Sequence, residues 1–309
     1  MTQSTQDKPI ENSETPYSNI NQGIFFALIG TALFSIKPVF IKLAYQFGGD
    51  AVSIMALRAF SSVPIYIIMM FWLLRKTENR TNFKRHGVAA SAVGILGYYL
   101  ASYLDIAAMA YISAQLERLL IFLFPSFVVL ISWIVLKQTP VKGTFKAIFL
   151  GYIGVALIVF HDMNNIGNNI LLGSGLAVAS AFIFACYLIM SKKLISQMGS
   201  QLFTCIGMGS AGIVILIQSQ WQGINVITLD PQLIGLGITL GIFCTVLPSF
   251  FVAAAMQKLT PSQLGLTSNV GPAITAVFAI TILSEPFTWF HAIGMVFVVY
   301  SVVSMKKRE

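Results

Sequence analysis

Ten runs of apolar residues follow one another along this chain, at about 22–45, 51–74, 87–105, 110–136, 144–160, 171–191, 202–220, 232–255, 259–283 and 287–305, joined by short polar connections. About 20 apolar residues rising 1.5 Å each cross the hydrocarbon of a bilayer, so each run is expected to be a membrane-spanning helix. Of the 309 residues, 56% are hydrophobic and 10% are charged, against roughly 25% charged in soluble domains. The chain therefore reads as an all-α integral membrane protein with the lipid bilayer as its solvent. Residues 1–21 are polar and lack the apolar core of a signal peptide, which predicts a disordered cytoplasmic tail.

Basic residues orient the helices. Lys37, Lys42, Arg58 and Arg118 fall inside apolar runs. With the N-terminus in the cytoplasm, the other fifteen of the nineteen basic residues, including Arg75, Lys76, Arg80, Lys84, Arg85, Lys192 and Lys193, lie on inner segments. The outer connections carry acidic charge at Asp50, Asp162, Asp230 and Glu285. By the positive-inside rule this predicts a multi-pass protein of the cell inner membrane with both termini cytoplasmic. Topology thus accounts for the net charge of +8 without a nucleic-acid partner. Lys42 sits near enough to an outer helix end to be expected to snorkel toward water.

The chain also carries a faint internal repeat. At an offset of 147, Ala107-Ala108-Met109 matches Ala254-Ala255-Met256, Pro125 matches Pro272, and Gln138 falls on Glu285; at an offset of 151, Lys42-Leu43 and Gly48 match Lys193-Leu194 and Gly199. Each copy spans five helices, and an odd number turns the second copy upside down in the membrane. The prediction is ten transmembrane helices arranged as two inverted five-helix repeats, over 22–160 and 171–305, as in secondary transporters.

The two halves, with the segments from Pro125 to Leu136-Lys137-Gln138 and from Pro272 to Leu283-Ser284-Glu285-Pro286, resemble the paired EamA domains of the drug/metabolite transporter (DMT) superfamily. The resemblance covers roughly residues 22–305. It departs from the family pattern after the fourth helix, where Lys137-Gln138 stands in place of the usual acidic residue. The resemblance implies a carrier or exporter of amino acids or other small metabolites, with a central cavity between the halves.

Charges buried in apolar helices mark the candidate site. A charged side chain near the bilayer centre costs at least ~2.5 kcal/mol, and such residues face a bundle interior or a wet cavity. Lys37, Arg58, Asp105, Glu117 and Arg118 are predicted at one depth in the first half. Glu117 and Arg118, about 100° apart on a helix, are poorly placed to neutralise each other. A purely structural network would pair Glu117 with Lys37 or Arg58, and Arg118 with Asp105. As a binding site, three cations against two carboxylates suit a small polar substrate bearing a carboxylate or phosphate. Glu117 would then be a proton-coupling group or an ammonium ligand, with protons as the candidate coupling ion. Tyr99 and Asn269 are further lining candidates. Pro38, Pro125 and Pro272 interrupt helices and are hinge candidates.

Enzyme signatures are absent: the sequence holds no HExxH, P-loop, GxSxG or CxxC. His86, His161 and His291, expected far apart, offer no metal site, and Cys186, Cys205 and Cys244 show no metal or disulfide spacing. The expectation is a non-enzyme without cofactor. It is a secondary transporter working by alternating access, with export of an amino acid or related compound as its direction and class. The alternatives are a lipid or polyprenyl-phosphate translocase and a non-transporting membrane assembly subunit.

Overall fold

The computed structural model describes residues 16–137, 139–140, 143–166, 169–226, 228–256, 258–259, 267 and 270–306. Described residues form helices α1 (Pro16–Gln46), α2 (Ala51–Leu73), α3 (Thr77–Gly94), α4 (Ala101–Ala108), α5 (Ala114–Ile121), α6 (Phe124–Ile134) and α7 (Thr144–Ile166). The order continues with α8 (Asn169–Met198), α9 (Ser200–Trp221), α10 (Pro231–Gly241), α11 (Leu247–Met256), α12 (Gly271–Leu283) and α13 (Trp289–Lys306). A π-helical turn, Ile95–Leu100, joins α3 to α4, and a second, Ile242–Val246, joins α10 to α11. Eight of the resulting rods are long and apolar enough to cross a membrane, and two shorter apolar helices, Gly271–Leu283 and Trp289–Ser304, complete the described set. Large apolar side chains stand exposed around the bundle, among them Ile68, Phe71, Phe149, Phe160, Ile217 and Val296. Such a surface would drive aggregation in water and is at home in lipid.

Several helix limits differ from the sequence expectation. α1 begins at Pro16, so residues 16–21 are helical rather than part of the tail. α3 begins at Thr77, which makes the basic stretch through Arg80, Lys84 and Arg85 helical. There Asn79 and Arg80 donate to the carbonyls of Leu73 and Leu74, satisfying acceptors left free where α2 ends. α7 continues to Ile166, which places Asp162 inside a helix. The helix expected over 110–136 is two helices. Ser113 caps α5 by accepting from Leu116 N, and the rod breaks at Phe122–Leu123, where Pro125 has no N–H for a continuing ladder. Between α1 and α2, Gly48 takes φ +77°, and Asp50 and Ser53 form a reciprocal capping box.

Small residues let the rods approach closely. Gly94 lies on the backbone of Gly207, Gly154 and Gly294 face each other across α7 and α13, and Gly237 and Gly241 seat α10 against Leu57, Arg58 and Ser61 of α2. The GxxxG of α10 is therefore spent inside the bundle. Gly94→Ala would press a methyl into the α9 backbone. We expect it to lose about 1–3 kcal/mol. Gly209→Ala on the same α9 meets open space and is expected to be neutral or to gain about 0.5–1 kcal/mol. Thermal unfolding in detergent checks both, and equal behaviour of the two variants would contradict the packing argument.

Candidate functional site

The five charges predicted at one depth come together among α1, α2, α4 and α5. Lys37 Nζ donates to Asp105 Oδ2 at 2.7 Å, with the Lys37 side chain 19% exposed and that of Asp105 6%. Arg58 Nη2 donates to Ser102 Oγ at 3.0 Å, one turn before Asp105 on the same helix rod. Arg118 Nη2 reaches Ser35 Oγ at 3.3 Å. Glu117, buried to 2% exposure, lies in the same cluster and interacts electrostatically with Asp105. Neither pairing expected of a purely structural network occurs: Lys37 takes Asp105 rather than Glu117, and Arg118 takes a serine. Glu117 Oε2, Asp105 Oδ1 and Arg118 Nε are buried without hydrogen-bond partners among the described residues. A network left this incomplete is a poor stabiliser, and Arg118 and Lys37 keep partial exposure beside it.

α12 closes one wall. Thr275 Oγ1 donates to the carbonyl of Ser35 at 2.6 Å, and Ser35 Oγ donates to the carbonyl of Thr31 at 2.6 Å. A Cβ on Gly271 would stand 3.0 Å from Arg118 Nη2, so the helix start has room for the guanidinium because it carries no side chain there. Pro272 lies in the first turn of α12 and Pro125 in the first turn of α6, whereas α1 runs unbroken through Pro38. Asn269 lies outside the described residues. Tyr99 does not enter the charge cluster; it lines a groove of about 460 Å³ with Val214, Ile217, Gln218, Trp221 and Gln222.

Two further polar groups lie outside the cluster. Lys42 does not snorkel: its Nζ donates to the carbonyls of Met109 and Ile112 at 2.9 Å each, satisfying acceptors where α4 ends. Glu285, expected in a solvated connection, accepts from Ala114 N at 2.7 Å and from Gln115 N at 3.3 Å. A carboxylate from beyond α12 thus caps the helix that carries Glu117 and Arg118. His161 and His291, expected far apart, have ring centres 6.0 Å apart, and His291 Nε2 lies 3.5 Å from Asp162 Oδ1. α7 and α13 pack against each other, a pairing the sequence did not reveal. Among the described residues no group of His, Cys, Asp and Glu is arranged to hold a metal ion.

Multiple apolar helices around a buried polar cluster define a multi-pass membrane protein of the transporter class. The model of the EamA-like transporter family matches residues 21–160 and again 171–305, and the chain belongs to that family, within the DMT superfamily. It is 24% identical over 293 residues to the uncharacterized transporter YcbK of Bacillus subtilis strain 168, an alignment covering 93% of each chain. It is 26% identical over 274 residues to the protein RarD of Escherichia coli K12, covering 85% of this chain and 86% of that one. A solved crystal structure shares the fold, with a TM-score of 0.61 at 13% identity over 92% of this chain and 96% of the other.

Sequence reasoning passed over Ser35 and Ser102, and placed Glu285 only as an outer acidic residue and a repeat match. Ser102 carried a usable signal, since it lies three residues before Asp105 and so shares its helical face. Glu285→Ala removes the acceptor for two N–H groups of α5, and we expect a loss of about 0.5–2 kcal/mol, read as a lowered midpoint of thermal unfolding in detergent. Lys37→Met strands the buried Asp105 carboxylate and is expected to cost about 3–5 kcal/mol. Pairing Lys37→Met with Asp105→Asn in one chain should recover most of that loss in the same measurement.

Proposed function

We propose that this transporter is a secondary carrier of the inner membrane. Ten membrane helices form two inverted repeats, over 22–160 and 171–305, that move a small polar metabolite by alternating access. Export of an amino acid or related compound is its direction and class. The observation that carries the reading is the cluster itself. Three cationic side chains face two carboxyls at the meeting of both halves, and its two partly exposed members, Lys37 and Arg118, are cations. A substrate carboxylate would be received by Lys37 and Arg118, with Glu117 and Asp105 left to meet an ammonium group.

Backbone features supply independent support for the repeat. The π turns beginning at Ile95 and Ile242 are offset by 147 residues, and so are the two non-glycine residues with left-handed backbone among the described residues, Lys137 at φ 55° and Ser284 at φ 54°. Pro125 and Pro272, at the same offset, each open a helix. Gly48 and Gly199, matched at an offset of 151, take φ +77° and +81°. Rare conformations recur at nearly constant spacing when two segments share a fold. Five helices per copy then require opposite orientations, and with the basic residues inside, both termini are cytoplasmic. In this topology Glu285 and Lys42 tie helix ends together on the outer side. Pro125 and Pro272, at the matched helix starts, are the points about which the halves would rock.

Counterflow in proteoliposomes tests the reading, with single amino acids, organic acids or phosphorylated metabolites loaded inside and exchange of label followed. Amino acids or close relatives are expected to accumulate label. Arg118→Gln should raise the KM for the exchanged compound by about 10–100-fold, the equivalent of one charged hydrogen bond. Folded protein that exchanges nothing from the panel would overturn the small-metabolite reading.

A further inference from the structure

Glu285 belongs to the second half of the chain and grips the first. Its two carboxylate oxygens accept from Ala114 N at 2.7 Å and from Gln115 N at 3.3 Å, at the start of α5. The residue is aimed there by its own backbone. Ser284 takes the left-handed conformation, φ 54°, which non-glycine residues seldom adopt, and Glu285 N bonds back to the carbonyl of Ala279 at 3.2 Å, closing the end of α12. Beside this contact Ala114, Ala279 and Val39 pack together, small and fully buried. Within the first half, Lys42 ties the connection into α5 to α1 through the carbonyls of Met109 and Ile112. The carboxylate of Glu285 is thus a polar link from one half to the other.

The repeat gives this link a counterpart at the opposite end of the molecule, and the counterpart is weaker. At the 147-residue offset Glu285 falls on Gln138, and the donors Ala114 and Gln115 fall on Pro261 and Ser262. Gln138, Pro261 and Ser262 lie outside the described residues, and their chemistry follows from the sequence. A neutral amide stands where the carboxylate would be, and proline has no N–H to donate. Hydrogen bonds to an ionised acceptor are roughly twice as strong as those between neutral groups.

We propose that Glu285 is the latch of an outer gate, and that the inequality of the two ends makes the protein rest closed on the outside. This rests on the carrier reading and adds a resting state to it. Rocking about the matched helix starts parts α12 from α5 whenever the outer side opens, and so breaks both bonds of Glu285. On the inner side the same movement breaks a neutral contact with one donor fewer. The closed-outside state is therefore favoured by the difference between the two contacts. Because α5 also carries Arg118, the latch and a cation of the central cluster move on one helix.

Hydrogen–deuterium exchange of the full chain in lipid nanodiscs, read by mass spectrometry at the amides of residues 114–115, tests the latch. We expect slow exchange in the wild-type protein and about tenfold faster exchange in Glu285→Gln, the step from a charged to a neutral hydrogen bond. Gln138→Glu should act from the far side of the membrane: a stronger inner contact favours outer opening, so the same two amides exchange faster. Asp230→Asn alters a carboxylate that caps α10 within its own half and should leave them as in the wild type. Circular dichroism and a monodisperse elution profile identify folded variants, and Gln138→Glu keeps the test decisive should Glu285→Gln not fold. Unchanged exchange in folded Glu285→Gln overturns the latch. Unchanged exchange in Gln138→Glu overturns the unequal gates and leaves Glu285 a helix cap. Equal acceleration in Asp230→Asn marks general loosening and also overturns the latch. Counterflow is read separately on the same proteins. Transport with no response of the amides sinks the latch and leaves the carrier, whereas the expected amide pattern without any transport sinks the carrier reading and leaves a latch between the halves.

Discussion

The contact on which the centre of this molecule depends is the 2.7 Å ion pair between Lys37 of α1 and Asp105 of α4. In a bilayer neither charge could be stranded. The pair brings α1 alongside α4, and the same face of α1 then adds Tyr45 Oη to the carbonyl of Ile106 and Lys42 Nζ to the carbonyls of Met109 and Ile112. These contacts bind one helix along another and satisfy the carbonyls at the end of α4, where an uncapped helix terminus in a membrane would be costly. With α4 held there, Arg58 finds Ser102, and Glu117 comes into the field of Asp105. The arrangement of all five charges follows from that first pair.

The site is unequal between the halves. Its ionisable groups come from helices of the first half, while the second half contributes shape and caps. Gly271 leaves room for the Arg118 guanidinium, Thr275 holds the Ser35 carbonyl, and Glu285 caps α5. The sequence counterparts of Glu117 and Arg118 at the 147-residue offset are Leu264 and Gly265. One half thus carries the charges, and the other presents helix starts and backbone to them. A duplicated scaffold freed from supplying charge twice can specialise in this way.

The limits of sequence reading show in particular residues. Most described residues of the runs expected to be helices are helical, because apolar runs of spanning length have no other way to satisfy their backbone in lipid, although the run over 110–136 is broken at Phe122–Leu123. The ends were less legible. Basic residues at 80–85 looked like a loop because they are polar, yet they continue α3 beyond the apolar stretch, and hydropathy reports surroundings rather than backbone conformation. Asp162 looked like a loop acid for the same reason, and it is buried against His291 at the α7–α13 contact. The buried charges announced themselves as a group because each is improbable where it lies. Their partners did not, since Ser35 and Ser102 are ordinary residues of membrane helices until a cation is placed beside them.

The sequence alone determined what had to be helical and which residues were too polar for lipid, since these follow from local transfer energies; it marked the break before Pro125 but not the unbroken passage of α1 through Pro38. It also carried the family pattern in both halves. The tertiary structure decided which charge met which. Pairing depends on the rotation and depth of each helix about its neighbours, set by side chains far apart in the chain. Glycine contacts such as Gly94 on Gly207 and Gly154 on Gly294 fix how closely the rods can lie. Only once those distances are set do Asp105 and Glu117 come into one cluster, each with a buried oxygen that finds no partner among the described residues.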